Sequence, residues 1–266
     1  MEENVGLAFI LTTFAGLATA IGAGIAFFAK KTDFKLLSTA MGFSAGVMIY
    51  ISFVELFSGG YASLVEQLGE NRGAWYATGA FFAGIFVTAL IDKMVPNFEN
   101  PHEFDKGAEP AEDEAQYKQL YRTGIFTALV IGIHNFPEGI ATFMGTLKDP
   151  QLGVSIAIAV AVHNIPEGIA VSAPIFYATG NKKKAFWFSF LSGFAEPVGA
   201  VIAYLILRPF LSDVVVGLSF TFIAGIMVFI SFDQLLPAAQ KYGSHHRSVY
   251  GLVAGMAVMA LSLLLS

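Results

Sequence analysis

Six residues recur in this chain: His134-Asn135-Phe136-Pro137-Glu138-Gly139 is followed by His163-Asn164-Ile165-Pro166-Glu167-Gly168, and both copies lie inside long apolar stretches. Imidazole, amide and carboxylate groups are ligands for divalent cations. At about 100° per residue, the His, Asn and Glu of each copy fall at roughly 0°, 100° and 40° around a helix, on one face. Two such helices running antiparallel present His134, Asn135, Glu138, His163, Asn164 and Glu167 to one cavity. A carboxylate can bridge, so two adjacent cation sites fit. One is richer in imidazole (His134, Glu138, His163, Glu167), and the other has oxygen donors alone (Asn135, Glu138, Asn164, Glu167 and a further acid). Glu196, in another apolar stretch and followed by Pro197, is the natural further acid.

Polar packing without a ligand is the plainer explanation for such residues, and their charge argues against it. A carboxylate at the centre of a membrane helix costs about 2.5–3.5 kcal/mol on insertion scales. No Lys or Arg lies in the apolar stretches that carry these three acids, so burying them calls for a cation from outside the chain. Pro137 and Pro166 lack a backbone N–H, which frees the carbonyls of Ile133 and Val162 just before the histidines. Irregular backbone at membrane depth is tolerated where it lines a cavity. Gly139 and Gly168 leave room for close helix approach.

The elements that position these residues must be membrane helices. Of 266 residues, 55% are hydrophobic and only 13% charged, with a positive mean hydropathy, far from the balance of a soluble domain. Apolar runs long enough to span a bilayer occur near Gly6 to Ala29, Leu36 to Phe57, Trp75 to Leu90, Gly124 to Leu147, Val154 to Tyr177, Ala185 to Leu207, Val214 to Leu236 and Tyr250 to Leu265, which predicts eight transmembrane helices in one membrane domain over 1–266. The first run follows acidic Glu2 and Glu3 and is too long for a signal core, so it is expected to stay in the mature protein. Twelve of the 15 Lys and Arg fall in the odd-numbered connections, which places those connections in the cytoplasm and both ends of the sequence outside. The default location is a bacterial plasma (inner) membrane.

The chain has no Cys, which removes disulfides, thiolate chemistry and thiolate zinc sites, and argues against copper(I). No basic patch suggests nucleic acid. Residues 96–122 form an acidic cytoplasmic loop, with Glu99, Glu103, Asp105, Glu109, Glu112, Asp113 and Glu114 against three basic residues and His102 its only imidazole; partial helix is expected near Ala111 to Tyr121. Solvation is its expected state, rather than metal sensing.

Internal similarity organises the spans. The segment 46–57 (GVMIYISFVELF) aligns with 225–236 (GIMVFISFDQLL), and 16–26 (GLATAIGAGIA) aligns with 193–203 (GFAEPVGAVIA). These matches pair the second span with the seventh and the first with the sixth; a third pairing, near Tyr76 and Tyr250, is weak. The expected fold is therefore all-α, with helices 1–3 and 6–8 as inverted-topology repeats around a central pair, helices 4 and 5, the pattern of secondary transporters. Glu55 and Asp233, on the matching second and seventh spans, are candidates to line the translocation path.

On the paired motifs and the Glu-Pro of the sixth span, the chain resembles the ZIP (zinc/iron-regulated transporter-like) family, in particular its bacterial divalent-metal uptake members, over essentially its whole length. The resemblance implies movement of Zn2+, often with Fe2+, Mn2+, Co2+ and Cd2+, into the cytoplasm through a two-metal site on the fourth and fifth helices. It implies His134, Asn135, Glu138, His163, Asn164, Glu167 and Glu196 as the ligands. The zinc-selective eukaryotic branch reads His-Glu-x-Pro-His-Glu in its fifth helix, and this chain departs from that, which points to broader specificity. The cytoplasmic loop also lacks the His-rich run common in the family. A carrier is expected rather than an enzyme, with no resident cofactor, divalent metal and the lipid bilayer as partners, and a homodimer left open. The alternatives are a membrane di-metal enzyme and a channel or exporter using the same site.

Overall fold

The computed structural model describes residues 4–26, 34–94, 113–207, 210, 212–242 and 244–265. Among them all regular structure is helical: α1 (Val5–Ala26), α2 (Phe34–Ile51), α3 (Ser58–Leu68), α4 (Glu70–Met94), α5 (Asp113–Lys148), α6 (Pro150–Thr179), α7 (Lys182–Gly193), α8 (Ala195–Ile202), α9 (Asp213–Ile230), α10 (Leu236–Tyr242) and α11 (His245–Leu265). A π-helical turn, Ser52–Phe57, joins α2 to α3; another, Ser231–Leu235, joins α9 to α10; a third, Ala203–Leu207, follows α8. Among the described residues, seven continuous stretches are long and apolar enough to cross a membrane, and two that pass through π turns run on past the apolar runs that announce them, to Leu68 and Gln240. Residues 96–112 of the acidic loop, His102 included, lie outside the described residues; from Asp113 the chain is helical.

Local chemistry sets the turns. Asp149 alone separates α5 from α6, and its carboxylate accepts the Gln151 N–H at 2.9 Å, with Pro150 in the first helical position. Gly180, at φ 63°, closes α6 in the left-handed region that favours glycine. Asn181 then caps α7 through the Lys184 N–H, and Ser212 caps α9 through the Val215 N–H.

Burial sorts the helices. In its apolar window α6 is 67% buried, against 22% for α4 and for α11, which makes α6 the centre of the bundle and the other two its periphery. Outward faces carry Ile10, Phe14, Phe82, Phe86, Val253 and Leu261, an apolar exterior suited to lipid. Packing divides the helices into two groups. In one, α1, α5 and α7 pack around α6, and α8 packs on α5 and α1; in the other, α2 packs on α11, and α4 and α3 pack on α9. The groups meet mainly along α2 with α6 and α5 with α9.

The aligned segments make matching contacts. Both π turns begin at the aligned serines, and each serine donates to the carbonyl one turn back: Ser52 to Met48 at 2.6 Å and Ser231 to Met227 at 2.7 Å. A Cβ on Gly46 would strike the Leu252 carbonyl, and one on the aligned Gly225 would strike that of Phe81. In return, Gly255 abuts the carbonyl of Phe43, and Gly84 that of the aligned Phe222. The contacts of α4 with α9 thus match those of α11 with α2, Gly84 taking the place of Gly255. Composition alone leaves that pairing faint, because Gly and Ala occur throughout both spans.

Candidate metal site

The two motifs lie in mid-helix, and both helices run unbroken through Pro137 and Pro166. Asn135, Glu138, His163, Asn164 and Glu167 are all sealed from the exterior, at 0–1% exposure, as is Glu196 at 0%. The His134 side chain lies outside the described part of the structure. Glu196 sits in the first turn of α8, after a break at Phe194 that ends α7. Pro197 explains the break: with no N–H of its own, it leaves the Gly193 carbonyl without its helical partner.

The motifs meet each other directly. His163 Nε2 lies 3.3 Å from Glu138 Oε2, a contact from one copy to the other across the α5–α6 interface. Asn164 Nδ2 donates both to the Ala15 carbonyl, at 2.9 Å, and to the Glu196 carboxylate. Asn135 Nδ2 donates to the Ser192 carbonyl at 3.2 Å. Ala15 and Ser192 each precede one of the aligned glycines, Gly16 and Gly193, so the two motif asparagines grip equivalent peptides of α1 and α7. The backbones complete the match: Gly139 abuts Glu196, and Gly168 abuts the aligned Thr19. A methyl on either glycine would collide with that backbone, so close approach is what brings Glu196 to the motifs.

The amide N–H groups are engaged by backbone carbonyls and by Glu196, which leaves the amide oxygens over. Asn135 Oδ1, Glu138 Oε1, Asn164 Oδ1 and Glu196 Oε2 are buried with no hydrogen-bond partner. An unsatisfied buried polar atom costs about 1–3 kcal/mol, and four on three neighbouring helices form an oxygen-rich donor set suited to a hard or borderline divalent cation. Among the described residues, no three His, Asp or Glu side chains converge closely enough to hold one ion as they stand. Several donors instead bond one another, so an ion would have to displace the His163–Glu138 and Asn164–Glu196 contacts.

Glu55 and Asp233 each sit in a π turn, half-buried. Ser44 joins the site unannounced: wholly buried on α2, its hydroxyl donates to Glu167 Oε1 at 3.2 Å. A lone Ser in an apolar helix has no spacing that marks it, so only the packing of α2 on α6 reveals it.

Comparison with known proteins shows the family. A family model described as ZIP Zinc transporter matches residues 97–263, the stretch that holds both motifs and Glu196. A protein named Zinc transporter ZupT from Lysinibacillus sphaericus is 59% identical over 100% of this chain and 99% of its own length. Its namesake from Nitratidesulfovibrio vulgaris is 56% identical over 99% of this chain and 98% of its own, and that from Streptococcus mutans is 52% identical over 100% and 99%. With identity above one half along nearly the whole of both sequences, and a family model matching residues 97–263, the chain belongs to the ZIP family of zinc transporters.

Proposed function

We propose that this protein carries divalent metal, zinc first, across a bacterial inner membrane into the cytoplasm, through a two-metal site held by His134, Asn135, Glu138, His163, Asn164, Glu167 and Glu196. The observation that carries it is the set of buried, unpartnered oxygens of Asn135, Glu138, Asn164 and Glu196, in helix segments with no Lys or Arg to neutralise the acids. The relatives are named as transporters, and a carrier uses such a site without an enzyme's nucleophile or general base. Fe2+, Mn2+, Co2+ and Cd2+ join zinc as cargo because amide, imidazole and carboxylate donors discriminate weakly among these ions.

The apolar part of α5, packed along α6, is the eighth span. Helices 1–3 and 6–8 are inverted repeats, and three matches support this: the paired π turns, the reciprocal glycine–carbonyl contacts and the equivalent grips of Asn135 and Asn164. Glu55 then lies toward the outer end of the path and Asp233 toward the cytoplasm, one in each π turn.

Radiolabelled Zn2+ uptake into proteoliposomes, compared between the wild type and a folded Glu138→Ala, Glu167→Ala double variant, tests the assignment. Saturable uptake that disappears in the variant supports it. Equal uptake by both would place the site elsewhere. Stoichiometric binding with no uptake would shift the balance toward a di-metal enzyme.

A further inference from the structure

Hydroxyls buried in apolar helices can satisfy themselves on the carbonyl one turn back. Thr12, Ser52, Thr88, Thr146 and Ser231 all do so here, at 2.6–2.8 Å. Ser44 does not. Its one hydroxyl proton is directed to Glu167 Oε1 instead, and a hydroxyl has only one proton to give. The bond also crosses between packing groups, since Ser44 belongs to α2 and Glu167 to α6, along the seam where the two groups meet.

The donor is neutral. A Lys or Arg there would neutralise Glu167 and compete with a cation, whereas a hydroxyl orients the carboxylate and leaves its charge intact. A carboxylate offers about four lone-pair positions, so one can be held while others coordinate metal. Nor is the arrangement duplicated. Two residues before aligned Gly225, the position matching Ser44 is Ile223, buried and apolar, and the mirrored carboxylate, Glu138, contacts His163 instead.

We propose that Ser44 is a positioning residue for metal binding, which tethers the Glu167 carboxylate to α2 and orients it toward the ion. The proposal rests on Glu167 being a ligand. Outer partners of metal ligands are worth about 10- to 100-fold in affinity, so Ser44→Ala, which removes one oxygen and little volume, should weaken zinc binding about 10-fold. Ser44→Thr keeps the O–H and should restore most of it. Should the extra methyl not fit, Ser44→Cys, with a weak donor of similar size, should fall between serine and alanine.

The decisive experiment is calorimetric Zn2+ titration of the purified full-length protein as wild type, Ser44→Ala, Ser44→Thr, Ser44→Cys, Glu167→Gln and the Ser44→Ala, Glu167→Gln pair, with thermal unfolding of each. Weakening by Ser44→Ala that vanishes in the Glu167→Gln background establishes action through that carboxylate. Weakening by Glu167→Gln with none from Ser44→Ala, or additive effects in the pair, overturns the tether and leaves the site standing. Unchanged binding in Glu167→Gln overturns both. A purely structural role would lower the unfolding temperature of Ser44→Ala and leave zinc affinity where it was.

Discussion

Three carboxylates, Glu138, Glu167 and Glu196, are buried among asparagines and a histidine, and each can take up either a proton or a metal ion. Ligands must be deprotonated to coordinate, so protons and metal compete for the same lone pairs. Zinc affinity is therefore expected to fall as pH drops, by about tenfold per pH unit for each proton that binding must displace. Titrations of zinc binding at pH 7.5, 6.5 and 5.5 check this, and a dissociation constant flat across that range would contradict ligation by these side chains. Much of the site was legible at this scale, because a duplicated motif of ligating residue types inside apolar sequence has few uses. Three partners were not legible: the two peptides gripped by Asn135 and Asn164, and the Ser44 hydroxyl. Backbone carbonyls have no letter in a sequence, and one serine on a distant helix has no period.

At the scale of the helix, the glycine seams do the positioning. Gly46 and Gly225 on the second and seventh spans, and Gly139 and Gly168 in the motifs, each sit where a side chain would meet another helix's backbone, which cannot step aside as a rotamer can. Gly46→Val and Gly168→Val are expected to destabilise by about 1–3 kcal/mol or more through overpacking. The measurement is thermal unfolding in detergent, with Gly79→Val, which meets nothing nearby, as the control. Hydropathy located most spans and missed their ends, since α2 and α9 run on through π turns into α3 and α10. A π turn adds one residue to a helical turn, and no apolar periodicity over so short a stretch registers it. The break at Phe194 was foreshadowed by Pro197, whereas Pro137 and Pro166 interrupt no helix: a missing N–H permits a break, and the packing decides whether one forms.

For the molecule as a whole, the distribution of Lys and Arg predicts which way it faces, and the absence of cysteine makes that easy to test. Single cysteines at Asp149, between α5 and α6, and at Asn181, between α6 and α7, stand at opposite ends of one helix. In intact cells, a membrane-impermeant maleimide should label Asp149→Cys and spare Asn181→Cys until the cells are opened; the reverse pattern would invert the topology. Sequence alone aligns two of the three proposed span pairs, because those pairs keep aligned glycines beside distinctive neighbours. The third pair rests on shape. Matched glycine–carbonyl contacts bear a further consequence if the two halves are inverted copies. Whatever differs between them marks the distance between the two ends of a working cycle. Were the first three spans to take up toward the central pair the stance the last three now hold, and the reverse, the route to the site would change sides with no helix refolded, and cargo would cross by an exchange of roles between the halves, without a pore opening from one side to the other.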